Sequence, residues 1–152
     1  MIESADNHPL IREMTESEIV KLLSRDVPAR LATLDPDGYP RITPIWFLWQ
    51  DDAFFMTSVA GKIQLRNLER NPAASICVDV EGPDSGSGYR PNRQVKAKGD
   101  VRLFKDDGRW TREITLKYLS GPEARKMAER RASMPRLVIE LRPEELVGLA
   151  AH

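Results

Sequence analysis

Residues 57–72 read T-S-V-A-G-K-I-Q-L-R-N-L-E-R-N-P, and the fold is decided there. The apolar run Ala53 to Met56 just before it predicts a strand, with the hydroxyls of Thr57 and Ser58 at the strand's end. Val59-Ala60-Gly61 is a short flexible link. Lys62 then precedes an amphipathic helical segment, Ile63 to Arg70, which Asn71-Pro72 stops. The first amides of a helix have no partner inside it and carry partial positive charge. A phosphate accepts hydrogen bonds from such amides and from hydroxyls, while a lysine adds a point charge. Lys62 and Arg66 are four residues apart, so a helical link puts them on one face. The segment therefore predicts an anion pocket. The same pattern also suits an ordinary surface helix with its cations in water. It contains neither a G-x-x-x-x-G-K-[ST] loop nor a G-x-G-x-x-G turn.

On the N-terminal side, residues 1–14 show no periodicity and read as an arm, leaving residues 15–152 as a single domain. Thr15-Glu16-Ser17-Glu18 is a capping box that opens a helix to about Ser24. Ala29 to Leu34 is a first strand, Asp35-Pro36-Asp37-Gly38 a turn, and Tyr39 to Trp49 a returning second strand. With Ala53 to Ser58 as the third, these strands predict an antiparallel meander. The second strand is apolar on both faces, with Ile45, Phe47 and Trp49 on one side and Trp46 and Leu48 on the other. One face can take the core; the other needs a helix, a ligand or a second subunit. Pro44 cannot donate to a ladder, so it marks an edge, a bulge or a ligand-facing gap.

Further strands are expected at Ala74 to Val80, Arg93 to Lys105 and Arg136 to Leu141. The Gly/Pro/Ser-rich segment Glu81 to Asn92 between the first two reads as a mobile loop. Arg109 to Leu119 and Pro122 to Ala132 are expected helices, the latter with its basic run as a solvated face. Glu144 to Leu149 reads as a short extended tail. Six strands with helices near both ends predict an antiparallel barrel whose closure would hide its edges.

Composition narrows the function. The 152 residues are 41% hydrophobic and 30% charged, and 23 basic residues balance 23 acidic ones. A nucleic-acid or acidic-membrane binder carries a basic excess, so neither partner is expected. The single cysteine, Cys77, allows no internal disulfide and reads as a small buried hydrophobe. No secretory signal or membrane-spanning run is seen, which predicts a cytoplasmic protein. The two histidines, His8 and His152, both lie near a terminus, so no Ser-His-Asp or Cys-His framework is expected. An enzyme built this way draws its chemistry from a bound cofactor, and no catalytic side chain or metal site is assigned.

The order and spacing of four pieces resemble the pyridoxamine 5'-phosphate oxidase-like family, the FMN-binding split barrels. The pieces are Ala29 to Phe47, Thr57 to Pro72, Arg93 to Val101 and Val138 to Leu146. The resemblance implies a mainly β (α+β) fold, a six-stranded antiparallel split β-barrel with flanking helices. It implies an FMN-dependent oxidoreductase acting on a small molecule, with a flavin site at a homodimer interface. Deazaflavin F420 is the alternative cofactor, and a non-catalytic flavin- or haem-binding module the alternative role. Arg41, Ile42, Thr43, Pro44, Ile45 and Trp46 would line the ring. Thr57, Ser58, Lys62, Ile63, Gln64 and Arg66 would surround the phosphate, and Gln94 would reach the flavin from the partner subunit. Gln64 stands where many relatives carry the basic residue, so Lys62 or Arg66 would take that part. The chain ends V-G-L-A-A-H, without the family's substrate-holding arginine and histidine, so pyridoxamine phosphate oxidation itself is not expected.

Overall fold

The computed structural model describes residues 10–82 and 90–151. Most of the expected 81–92 loop lies outside the described residues, as do residues 1–9 of the expected arm. The elements run β1 (Ile11–Glu13), α1 (Glu16–Leu23), β2 (Ala29–Leu34), β3 (Pro40–Ile45), β4 (Leu48–Gln50), β5 (Ala53–Val59) and α2 (Ile63–Arg70). They continue β6 (Ala73–Glu81), β7 (Asn92–Lys105), α3 (Arg109–Tyr118), α4 (Pro122–Ala132), β8 (Arg136–Leu141) and β9 (Glu145–Ala151). All strand pairs are antiparallel, in the order β3-β2-β6-β7-β8-β5-β4, and β9 lies between β1 and β7.

Local chemistry sets most boundaries. Glu18 donates its amide to Thr15 Oγ1 at 3.2 Å while its Oε1 accepts from the Thr15 amide at 3.3 Å, so the capping box closes as the sequence predicts. Gly38, at φ 87°, supplies the left-handed residue that the β2–β3 hairpin needs. Asn71 Oδ1 accepts from the Ala73 amide at 3.1 Å, turning the chain from α2 into β6.

Three expectations are corrected. The described residues contain nine strands rather than six. The expected tail is β9, the end of the expected arm is β1, and the expected second strand is two. β3 pairs only with β2 and β4 only with β5, so its halves stand at opposite ends of the sheet and no meander forms. The break falls at Trp46-Phe47, because the Phe47 backbone is satisfied from α3 instead of a ladder. Its amide donates to Tyr118 Oη at 3.3 Å, and its carbonyl accepts from Lys117 Nζ at 2.9 Å. The sheet also stays open rather than closing into a barrel, β3, β4 and β1 each pairing on one side alone among the described residues. Two prolines on β3, Pro40 and Pro44, blunt one of those edges.

β7 holds the two halves of the sheet together. Its residues 92–100 pair with β6, and residues 101–105 pair with β8. Gly99 sits at the crossing, where a Cβ would stand 3.2 Å from the Arg142 carbonyl oxygen and 3.3 Å from the Glu144 nitrogen. The main core lies under α1 and α2, around Leu23, Leu31, Phe47, Phe54, Met56, Leu65, Val95 and Leu141. A smaller cluster under α3 joins Ala53, Phe55 and Val138 to Phe104 and Trp110.

Candidate functional site

The corner between β5 and α2 forms as its sequence predicts. Gly61 takes φ 88° in the link, and Lys62 stands at the N-cap of α2 in extended conformation without capping through its side chain. Lys62 and Arg66 are both exposed. Neither side chain makes a hydrogen bond or ion pair among the described residues. The amides of Ile63 and Gln64 open the helix with no carbonyl inside it to receive them. Two uncommitted cations and a helix N-terminus therefore share one corner.

The two hydroxyls lie close by but are committed elsewhere. Thr57 and Ser58 are adjacent on a strand, so they face opposite sides of the sheet. Both are buried, at 6% and 5% exposure. Ser58 Oγ accepts from Gln64 Nε2 at 2.8 Å, which joins the strand end to the first turn of α2. On the other face Thr57 Oγ1 shares a hydrogen bond of 3.0 Å with Thr111 Oγ1 and accepts from Arg136 Nη1 at 3.5 Å. Gln64 is thus a buried clamp, while Ile63, 45% exposed, faces outward.

β3 presents its residues on two sides. Arg41, Thr43 and Ile45 are half-buried, and Pro40, Ile42 and Pro44 are exposed. Alternate residues of an antiparallel strand bond to the neighbour, and prolines cannot donate, so the Ile42 amide shares their register and faces the open edge. Arg41 Nε donates to Asp35 Oδ1 at 2.8 Å, and the same oxygen accepts from Asn67 Nδ2 at 2.8 Å. Arg41 and Asn67 together hold the Asp35 carboxyl below its usual range. Asn67 also donates to Thr33 Oγ1 at 3.1 Å and accepts from Arg70 at 2.8 Å. This network fixes α2 against the β2–β3 hairpin, and so fixes the β5–α2 corner relative to the exposed strand.

Trp46 receives its cover from within the chain. It stacks on Tyr118 at 4.6 Å between centroids, with planes 3° apart, and the Arg131 guanidinium lies 4.8 Å from its ring centre. Arg131 Nη1 donates to Thr115 Oγ1 at 2.7 Å, and Arg136 Nε donates to the Arg131 carbonyl at 3.1 Å. Arg136 reaches Thr57, and the loop beside it is pinned by the Ala60 amide donating to the Pro135 carbonyl at 2.9 Å. Trp46 and Thr57 thus meet through two arginines that the sequence reading left out. The basic run of α4 was expected to be solvated. Arg131, however, follows the buried Ala124 and Ala128 at helical spacing, and that period was the available signal.

Lys117 and Tyr118 close the back of this cluster. Lys117 Nζ donates to the Leu23 and Phe47 carbonyls at 3.0 and 2.9 Å and sits 3.7 Å from the Phe47 ring centre. Burial pulls its pKa down to about 8, against the opposing field of Asp26. Burial pushes the Tyr118 phenol up to about 12.

Gln94 lies away from this corner. It pairs across β7 with Asp79 of β6 and Leu149 of β9, and its Nε2 donates to Asn92 Oδ1 at 3.1 Å. It shares its sheet face with Lys96 and Lys98, which line an open groove of about 720 Å³ together with Arg30, Ile42, Cys77 and Val147. Burial raises the Cys77 thiol, with Asp79 adding to the shift. Among the described residues no group of histidine, cysteine or carboxylate side chains is placed to hold a metal. No helix among them is long and apolar enough to cross a membrane.

Residues 15–149 match the family profile described as pyridoxamine 5'-phosphate oxidase. The chain belongs to that family. Solved structures agree on the split-barrel fold. An F420 reductase is 27% identical, with a TM-score of 0.60, covering 83% of this chain and 93% of its own. An FAD-binding protein of Mesorhizobium loti is 21% identical, with a TM-score of 0.64, covering 94% of this chain and 99% of its own. A conserved hypothetical protein of Mycobacterium tuberculosis is 22% identical, with a TM-score of 0.73, covering 91% of this chain and 86% of its own. No curated protein shows significant sequence similarity to the chain.

Proposed function

We propose that the protein is an oxidoreductase that binds FMN at a homodimer interface and acts on a small molecule, with F420 as the alternative cofactor. The observation that carries this reading is the pair Lys62 and Arg66, exposed and unpaired at the N-terminus of α2 directly after β5. Their donor set suits a phosphate monoester or diester. A bound flavin or deazaflavin would supply hydride or electron transfer through its own ring.

The chain's own residues bind and orient. Lys62, Arg66 and the amides of Ile63 and Gln64 hold the phosphate. The open edge at Ile42 offers one donor and its flanking carbonyls to the ring. The Arg41–Asp35–Asn67 network keeps these two subsites in fixed register. Thr57 and Ser58 shape the corner through Arg136 and Gln64. F420 is kept as the alternative because the F420 reductase covers most of the chain at 27% identity.

The proposed partner is a second copy of the chain, seated on the groove that carries Ile42. Ile42 is 68% exposed there. Arg30 pairs with Asp79 at 3.3 Å and Lys98 with Glu145 at 3.2 Å, so the face carries both signs of charge and suits a two-fold contact with itself. Gln94 projects from the same face and would reach the partner's site.

Titration of the purified protein with FMN and with F420, followed by absorbance and fluorescence, tests the reading. Saturable uptake of one of them is expected, reduced by roughly 1.5–3 kcal/mol for each cation removed in Lys62→Ala and Arg66→Ala. A protein that binds neither cofactor would end the proposal. Binding without reduction by nicotinamide nucleotides or a reduced-F420 system would assign the non-catalytic role. Sedimentation of Ile42→Glu tests the interface, and an unchanged dimer would place it elsewhere.

A further inference from the structure

We propose that Arg131 and Arg136 form a second oxyanion-binding site, separate from the α2 N-terminus and taking a phosphate or carboxylate group.

The other half-buried arginines are neutralised within the chain. Among the described residues, five arginines are half-buried: Arg41, Arg93, Arg112, Arg131 and Arg136. Arg41 pairs with Asp35, Arg93 with Glu18 and Arg112 with Glu129. Arg131 and Arg136 have no ion pair among the described residues, yet they are neighbours that repel each other. Desolvation lowers both pKa values, and for Arg131 the charge of Arg136 adds to the effect. Asp106 is the carboxylate whose field reaches Arg136. Its oxygens are already committed to the start of α3, accepting from the amides of Gly108, Trp110 and Thr111 and from the Thr111 hydroxyl.

Two like charges partly removed from water are costly unless an anion joins them. The donors for such an anion remain. Arg131 uses Nη1 on Thr115, and Arg136 uses Nε on the Arg131 carbonyl and Nη1 on Thr57. Arg131 Nε and Nη2 and Arg136 Nη2 have no acceptor among the described residues. Both forks are held in place, Arg131 by the Trp46 face and Arg136 by Thr57. Planar, pre-positioned guanidinium forks match the oxygens of phosphate and carboxylate. The site stands on these contacts and does not depend on the cofactor proposal. Its natural ligand is either a further anionic group of a bound cofactor or the acidic group of a substrate.

The experiment is a titration of cofactor-free protein with inorganic phosphate at low ionic strength, read by proton–nitrogen spectra of the arginine Nε–H groups. Saturable shifts of the Arg131 and Arg136 signals are expected. The same shifts should persist in a Lys62→Ala, Arg66→Ala double variant, where loss of cofactor uptake would bear only on the α2 corner. Arg136→Gln and Arg131→Gln should each weaken phosphate binding at this site by about tenfold or more. Repeating the titration with FMN or F420 bound separates the two sources. Lost shifts assign the site to the cofactor, and retained shifts assign it to the substrate. The wild-type spectra decide even where a variant fails to fold. Arg131 and Arg136 signals that stay fixed while phosphate saturates elsewhere, or an affinity unchanged in both glutamine variants, would overturn the proposal and leave the arginines as packing residues.

Discussion

Replacing Asn67 by alanine is expected to unfold the link between α2 and the β2–β3 hairpin before it touches any ligand. Asn67 is 1% exposed, and its side chain makes three hydrogen bonds, to Thr33, Asp35 and Arg70. The Thr33 bond joins neutral groups and is worth about 1 kcal/mol; a bond to a charged partner is worth about 1.5–3 kcal/mol. Arg70 keeps its contact with the Leu34 carbonyl, so its loss counts for little. Asp35 keeps Arg41 and some access to water, which recovers part of its share. The net destabilisation is about 3 kcal/mol, a fall in Tm of about 6–12 °C for a domain of this size. Urea unfolding of wild type and Asn67→Ala measures it, with an unchanged m value showing that the denatured state is unaltered. Asn67→Asp is the sharper control, because it keeps the shape and puts a second carboxylate against Asp35. It should be worse than alanine at neutral pH and recover as the pair takes up a proton in acid. A loss below about 1 kcal/mol for Asn67→Ala, or no acid recovery for Asn67→Asp, would show that this network does not hold the two subsites together.

Other expectations follow from single contacts. Lys117, with its native pKa near 8 against an ordinary 10.5, releases its proton before the unfolded chain does, so stability attributable to it should rise as pH climbs from about 8. The difference in urea midpoint between wild type and Lys117→Met at pH 7.5 and 9 isolates this, and a flat difference refutes it. Glu18 is held at about 2, first by its hydrogen bond from Arg12, so its stabilisation is complete above pH 4.5 and is lost as pH falls through about 2. Glu18→Gln should therefore be less stable than wild type at pH 6 and converge on it near pH 2; parallel curves would exclude this coupling. Gly148→Ala would bring a Cβ to 2.7 Å from Ile19 Cγ1 and 3.2 Å from Met14 Cβ. It should destabilise by about 1–3 kcal/mol and be partly rescued by Ile19→Ala, and strict additivity of the two would contradict the clash.

The elements legible in the sequence were those whose signal is local. The capping box at Thr15, the turn before Gly38 and the stop at Asn71-Pro72 each carry their own backbone chemistry, so α1, the β2–β3 hairpin and α2 emerge where the residues alone place them. The β5–α2 corner was legible for the same reason, since Lys62 caps α2 and Arg66 lies one turn into it. What failed was long-range. Pro44 signals an irregularity between Tyr39 and Trp49 but not a break at Phe47, because the groups that draw Phe47 out of the ladder, Lys117 and Tyr118, lie some 70 residues away.

Trp46 shows how that failure shaped the reading of the site. A strand apolar on both faces called for a helix, a ligand or a second subunit, and sequence alone gave no means of choosing. α3 supplies the cover through Tyr118, and α4 adds Arg131. A tryptophan stacked at 3° on one ring, with a guanidinium 4.8 Å from its centre, is largely committed before any ligand arrives. The apolar group left open on this strand is instead Ile42, at 68% exposure on the free edge. The break at Phe47 therefore divides the labour of the expected strand. β3 keeps an unpaired edge, while Trp46 turns inward and holds the arginines against Thr57. A cyclic arrangement of contacts, Trp46 to Arg131, Arg131 to Arg136, Arg136 to Thr57 and Thr57 to Thr111 on the same helix as Tyr118, then ties β5, the strand break and the two helices into one frame.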